Sequence, residues 1–348
     1  MRVLVATNQL SDYGGSELVA WEVAEWFASR GDDVTLATTH LGSPVIDVPA
    51  PFAITGEPDG LDLSMFDLVW SQHDMVTRLA QGLERCAGAR RLPLVVMVAL
   101  SPFERLEHVD ALVARATGAE VWVNSDETAH AVARAGQGLL DPRRIHRFRN
   151  AAPERFWMPT PPVAPEVRRI LAVSNRLPLE LRQAFEALGR DGIDVRIVGR
   201  DDEYTWIGPD DIAAADAVVT IGKTVVDAIA GARPVYLYDR FGGGGWLWRG
   251  NWEHERFYNF SGRPDLHRRD VPTLVRELRF GYADAVAEVG EIREAAADLH
   301  LDAHLGPLRE RALRHRGRIA ALGLAARLAR RSFRAHLATT RRKSDTPD

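Results

Sequence analysis

With 348 residues the chain is long enough for roughly two domains of ~150 residues each. A content of 46% hydrophobic and 26% charged residues excludes disordered, collagen-like and disulfide-scaffold classes, and the single cysteine, Cys86, has no partner for an internal disulfide. No stretch reaches the ~18 apolar residues needed to span a bilayer, so a cytoplasmic protein is expected. The net charge of −4 hides an asymmetry. Residues 306–348 are rich in arginine and carry only Glu310, Asp345 and Asp348 against it, which leaves an acidic body and a basic tail.

Apolar runs alternate with amphipathic stretches from the first residue. Arg2–Thr7 reads as a buried strand and not as the core of a signal peptide. A helix follows over Glu17–Arg30, with Val19, Val23, Trp26 and Phe27 at helical spacing and Gly31 as its stop. Asp33–Thr38 and Phe66–Ser71 are the next strands, followed by a helix near Met75–Ala87, strand Leu94–Leu100 and a helix over Val109–Thr117. Val121–Asn124 is a strand, and Ser125 or Asp126 caps the helix that runs to Ala135. Ile145–Arg149 closes this half.

Four prolines in Met158–Pro165 make that segment neither helix nor central strand, so it is expected to link two domains. The alternation restarts with strand Arg169–Ser174, helix Leu179–Arg190, strands Asp194–Val198 and Ala217–Ile221, helix Thr224–Ala230 and strand Pro234–Tyr238. Helices are expected over Thr273–Leu299 and over the arginine-rich run from Leu308 to Leu337. The expected architecture is α/β: two doubly wound Rossmann-like domains with a helical C-terminal tail. Residues 1–157 form the first domain, 158–168 the linker, 169–305 the second domain and 306–348 the tail. Ligands of such sheets sit beyond the carboxyl ends of the strands, which in this plan is a cleft between the domains.

Three loops at such ends carry candidate chemistry. Asn8–Glu17 contains Gly14 and Gly15 before a helix whose free N–H groups suit an anion, or serves as a plain strand-to-helix turn. Thr220–Asp227 brings together Gly222, Lys223 and Thr224, the chemistry of a phosphate cradle, and Asp227, which suits ribose hydroxyls. It is not a P-loop, since Ala217 stands where the first glycine would be. Tyr238–Trp246 holds Gly242, Gly243, Gly244 and Gly245, read as a mobile loop closing over a ligand with Asp239 and Arg240 at its entrance. His73 follows a strand and is a candidate base or hydroxyl ligand. Glu104 and Glu107 read as a solvated face. HExxH, CxxC, GxSxG and GxGxxG are all absent, so neither a metal site nor a dinucleotide cofactor is expected.

The order of these segments is similar to that in a known family. Strand–GGSE–helix, VWVNSDETAHAV, RFRNAAPERF, RILAVSNR, IVGR and ADAVVTIGKTVVDAIAGARPVYLYD resemble GT-B glycosyltransferases of the family 4 type over roughly residues 1–265. That resemblance implies retaining, metal-independent transfer of a sugar from a nucleotide-sugar substrate to a glycan, lipid-linked or secondary-metabolite acceptor, with no cofactor; no nucleic-acid partner is expected, because the body is acidic and the basic tail has few interleaved aromatics. Gly14, Gly15, Arg176, Gly222, Lys223 and Thr224 would then serve the donor phosphate and Asp227 the ribose. Asp227 stands at the second of the family's two acidic places and Val219 at the first. A non-catalytic partner subunit and a nucleotide-sugar 2-epimerase are the other readings. The amphipathic run 316–337 suits an anionic membrane surface, which would place the protein at the inner face of the membrane, or it packs back on the acidic first domain.

Overall fold

The computed structural model describes residues 1–73, 75, 78–79, 92–108, 119–136, 140 and 145–315. The helices expected over Met75–Ala87 and Val109–Thr117 and the run 316–337 lie outside the described residues or largely so. The chain divides into two compact units, Met1–Phe148 joined by the residues from Leu305 on, and Arg149–His304.

The first unit opens with β1 (Arg2–Leu10), α1 (Gly15–Ala28), β2 (Asp33–Leu41), β3 (Ala53–Thr55) and β4 (Leu68–Gln72). It continues with β5 (Leu94–Ala99), β6 (Glu120–Val123), α2 (Asp126–Ala135) and β7 (Ile145–Arg147). All seven strands are parallel in the order β3-β2-β1-β4-β5-β6-β7. Their near-continuous apolar sequence is what burial on both faces requires. Leu4, Val69, Val95, Met97 and Val121 pack on one face with Ala129 and Val132 of α2. Trp70, Trp122 and Phe148 meet edge to face on the other, with ring centroids 5.5 and 5.3 Å from Trp70. Strand order reverses between β1 and β4, and that reversal opens a crevice at their carboxyl ends. Ser125 is the N-cap of α2, its hydroxyl accepting from the Thr128 N–H at 3.1 Å.

The second unit holds α3 (Glu154–Trp157), β8 (Arg169–Val173), α4 (Leu179–Arg190), β9 (Asp194–Val198), α5 (Pro209–Ala214), β10 (Ala217–Thr220), α6 (Lys223–Ala230), β11 (Val235–Asp239) and β12 (Gly242–Trp246). Then come α7 (Trp252–Phe257), α8 (Val271–Phe280), α9 (Tyr282–Ala295) and α10 (Leu301–Arg314), the last returning the chain to the first unit. The sheet order is β12-β11-β10-β8-β9, parallel except for β12. Alternate residues fall into two cores. Leu171, Val218 and Leu237 pack with Val225, Val226 and Ile229 of α6. Ile170, Val219 and Tyr236 pack with Leu181, Phe185, Leu274 and Leu278 of α4 and α8. The switch point lies between β8 and β10.

Four expectations are corrected. Arg149–Trp157 belongs to the second unit, because Ala152 and Phe156 pack into the core of Leu171 and Val198. The proline segment is likewise tied to that unit, since Tyr282 donates to the Ala164 carbonyl at 2.8 Å and Thr160 to the Gly231 carbonyl at 3.0 Å. The basic tail does not begin at 306: α10 runs to Arg314, Arg309 forms a two-pronged pair with buried Asp32 at 2.7 and 2.9 Å, and Arg311 does the same with Glu120. Glu107 is not solvated. It is buried and accepts the Leu100 and Ser101 N–H groups, both at 2.8 Å, which ties down the loop after β5.

Candidate functional sites at the two switch points

In the first unit, Gly14 is the N-cap of α1 and Gly15 its first residue, as the anion-site reading requires. The turn is not vacant. The buried Glu17 carboxylate folds back until a Cβ on Gly14 would lie 2.5 Å from Oε2, and the Ser16 hydroxyl donates to that oxygen at 2.7 Å. A carboxylate in the first turn already offsets the positive helix end. Beside this turn, at the end of β4, Gln72 Nε2 donates to the Ser16 carbonyl at 2.6 Å and to Thr7 Oγ1 at 3.1 Å. His73 follows in the left-handed region, φ 57°, with Nδ1 3.1 Å from Thr7 Oγ1. A bulky residue in that region is uncommon and marks a site where neighbours fix the backbone.

In the second unit, the carboxyl ends of β8, β10 and β11 bring Ser174, Arg176, Thr220, Gly222 and Asp239 together. Gly222 is the N-cap of α6 with φ 70° and ψ −130° and open space where a Cβ would stand. Here glycine is required, since a side chain would be strained and would fill the approach to the first turn of α6. The Gly222 N–H is itself taken by the Phe260 carbonyl at 2.8 Å. Arg176 is exposed, its N–H bonded to Ser174 Oγ at 3.1 Å. Thr224 is half-buried in the first helical turn.

Lys223 and Asp227 are placed against each other. They form an ion pair one turn apart in α6, with side chains 2% and 7% exposed, and the Lys223 Nζ lies 5.9 Å from the Phe156 ring. Burial pushes the Asp227 carboxyl up, and the Lys223 charge and hydrogen bond oppose that push. Contact with a diphosphate or a ribose therefore requires this pair to open. Asp239 ends β11, buried, and accepts from Ser174 Oγ at 2.7 Å. Burial raises its carboxyl to about 6, against the Ser174 hydrogen bond and the charge of Arg176.

The glycine run is not a mobile loop. Gly242–Trp246 is strand β12, antiparallel to β11. Glycine is needed there because neighbouring backbone is too close for any side chain: a Cβ on Gly243 would lie 2.1 Å from the Leu237 oxygen, and one on Gly242 2.3 Å from the His267 oxygen. A Cβ on Gly244 would meet Glu255 Oε1 at 2.2 Å, and Gly245 has φ 77°. Arg240 is exposed and stacks over Phe241, 4.4 Å from the ring centroid.

Sequence reading passed over a second group. Arg149, Asn150, Asn259 and Phe260 all have φ between 50° and 59°, and Asn150 Nδ2 donates to Asn259 Oδ1 at 3.2 Å. Through Phe260 this pair supports Gly222. The available signal was an asparagine in each of RFRN and YNF, since asparagine tolerates the left-handed region better than most residues.

No protein-family model matches the sequence, and no curated protein matches it. Solved structures match its fold. An alpha-glucosyltransferase in complex with UDP is 9% identical and superposes with a TM-score of 0.51, covering 90% of this chain and 100% of that one. The same kind of enzyme in complex with UDP and a 13-mer DNA containing an HMU base is 10% identical, with a TM-score of 0.50 over 90% and 100% of the two chains. A glycosyltransferase of lipopolysaccharide biosynthesis, WaaG, is 15% identical over 94% and 98%, with a TM-score of 0.42. With its seven-stranded parallel sheet and its five-stranded sheet with one antiparallel edge, the chain has the α/β fold of GT-B glycosyltransferases.

Proposed function

We propose that this chain is a glycosyltransferase that moves a sugar from a nucleotide-sugar donor to an acceptor hydroxyl. The observation that carries this reading is the open first turn of α6 at the switch point of the second sheet, headed by Gly222 with φ 70° and flanked by the exposed cation Arg176. Cleaving a nucleotide sugar leaves a diphosphate, whose developing charge needs fixed donors and cations. Helix N–H groups and Arg176 supply both, and the UDP complexes named for two proteins of this fold support the nucleotide part. Asp239 and Ser174 border the same crevice and suit hydroxyls of the ribose or sugar.

Retention of configuration, independence from metal ions and a glycan, lipid-linked or secondary-metabolite acceptor rest on the sequence resemblance. The basic run 316–337 would hold the enzyme at an anionic membrane that carries a lipid-linked acceptor.

Calorimetric titration with UDP, dTDP, GDP and ADP, each beside its nucleoside, tests the donor site. At least one diphosphate should bind, and Arg176→Ala should weaken it ~10-fold or more while sparing the nucleoside, since a charge-assisted hydrogen bond is worth ~1.5 kcal/mol or more. If none of the four diphosphates binds the wild-type chain, the transferase reading gives way to the non-catalytic subunit.

A further inference from the structure

We propose that Trp70, Gln72 and Thr7 form a polarity relay that holds the neutral His73 ring with its proton on Nε2. His73 then offers a substrate a hydrogen-bond donor and not a general base.

The relay can be read because two of its contacts have only one possible sense. An indole N–H only donates and a backbone carbonyl only accepts. Trp70 Nε1 lies 3.3 Å from one end of the Gln72 amide, which must be the oxygen. The Ser16 carbonyl lies 2.6 Å from the other end, which must be the NH2. Two independent neighbours thus fix the same amide orientation. The remaining amide hydrogen points to Thr7 Oγ1 at 3.1 Å, so Thr7 accepts from Gln72. Thr7 is fully buried, and its own hydroxyl hydrogen needs an acceptor. Among the described residues that acceptor is His73 Nδ1, at 3.1 Å. A ring nitrogen that accepts carries no proton, so in the neutral ring the proton sits on Nε2.

Sheet geometry makes the relay rigid. Trp70 and Gln72 stand two residues apart on β4 and so share a face, and Val5 pairs with Trp70 across β1, which puts Thr7 on that same face beside Gln72. The left-handed backbone at His73 turns its ring back onto Thr7. Gln72 and Thr7 are positioning residues here: neither needs to touch a ligand. The group that complements an Nε2–H is an oxygen lone pair, as on a sugar hydroxyl or a phosphoryl group. In this tautomer Nε2 carries the proton and has no lone pair with which to take one from an acceptor hydroxyl. The assignment of a substrate to His73 rests on the transferase reading, whereas the tautomer does not.

Nitrogen-15 NMR of the imidazoles in the full chain, above neutral pH, decides it. The chain has 11 histidines, and His73→Gln identifies the signal by its loss. In the wild type, His73 should show an unprotonated Nδ1 and a protonated Nε2. Thr7→Ser, which keeps the hydroxyl, should preserve that pattern, and Thr7→Val, which keeps the shape and removes the hydroxyl, should convert it to a mixture of tautomers. A wild-type His73 with its proton on Nδ1, or an unchanged pattern in Thr7→Val, overturns the relay. Nucleotide titration is a separate readout, so failure of the transferase reading and failure of the relay are distinguishable.

Discussion

The Lys223–Asp227 pair gives a sharp thermodynamic test of the second unit. Both side chains are nearly inaccessible, at 2% and 7%, and both belong to α6, which packs on the sheet through Val225, Val226 and Ile229. Removing one member of such a pair strands the other charge in the core and costs ~3–5 kcal/mol. For a unit the size of Arg149–His304, each kcal/mol lowers Tm by ~2–4 °C, so Lys223→Met or Asp227→Leu alone should lower its transition by ~6–20 °C. The double variant should behave differently. Burial already pushes the Asp227 carboxyl up against the pull of Lys223, so pairing offsets only part of the desolvation. Replacing both groups with apolar ones removes the whole penalty, and stability should return to within ~1.5 kcal/mol of the wild type. Differential scanning calorimetry of the four proteins closes the cycle and yields a coupling energy close to the sum of the two single losses. Single losses below ~1 kcal/mol with no coupling would place the pair in solvent-like surroundings and refute the reasoning.

Three further outcomes are expected. Burial, and then the neighbouring Asp265 carboxylate, raise Glu255 to about 7, well above its ordinary value of ~4.3. The folded form therefore holds a proton that the unfolded form has released. Its stabilising effect is complete below ~4.3, is lost as pH rises through about 7, and amounts to at most ~4 kcal/mol. Glu255→Gln should remove that slope from the pH–stability profile, and an unchanged slope in urea unfolding counts against it. Gly243→Ala drives a Cβ to 2.1 Å from the Leu237 oxygen and should lower stability by ~1–3 kcal/mol, whereas Gly56→Ala, with nothing within 4 Å, should stay within ~0.5 kcal/mol. Equal thermal shifts for the two would remove the packing explanation for the glycine strand. Anionic vesicles should pellet the full chain but not a version ending at His315, and equal pelleting would end the membrane reading. Truncation at Gly306 would not serve, because it also removes Arg309 and Arg311 from Asp32 and Glu120.

What was legible in the sequence was whatever depends on neighbours along the chain. Buried parallel strands announce themselves as apolar runs, and the caps at Ser125 and Gly222 sit where local chemistry puts them. Sequence reading passed over the pairing of Lys223 with Asp227, giving one to a phosphate and the other to a ribose, although KTVVD sets opposite charges four apart, the spacing at which helical side chains meet. Strand β12 was not legible, because four glycines have no strand propensity and their reason is the backbone of Leu237 and His267 pressing from either side. His73 and Thr7 are 66 residues apart, and the register of β1 against β4 alone brings them together. The unit boundary was hidden in the same way. Proline content marked Met158–Pro165 as a linker, but what assigns a segment to a unit is where its apolar side chains are buried, and Phe156 is buried beside Leu171. The charge asymmetry was real, and its meaning changed once the fold was known. Arg309 and Asp32 lie 277 residues apart, so the first part of the basic excess answers acidic groups on the first unit. A search for an external anionic partner therefore belongs to the arginines beyond His315, since Arg309 and Arg311 of α10 already answer Asp32 and Glu120.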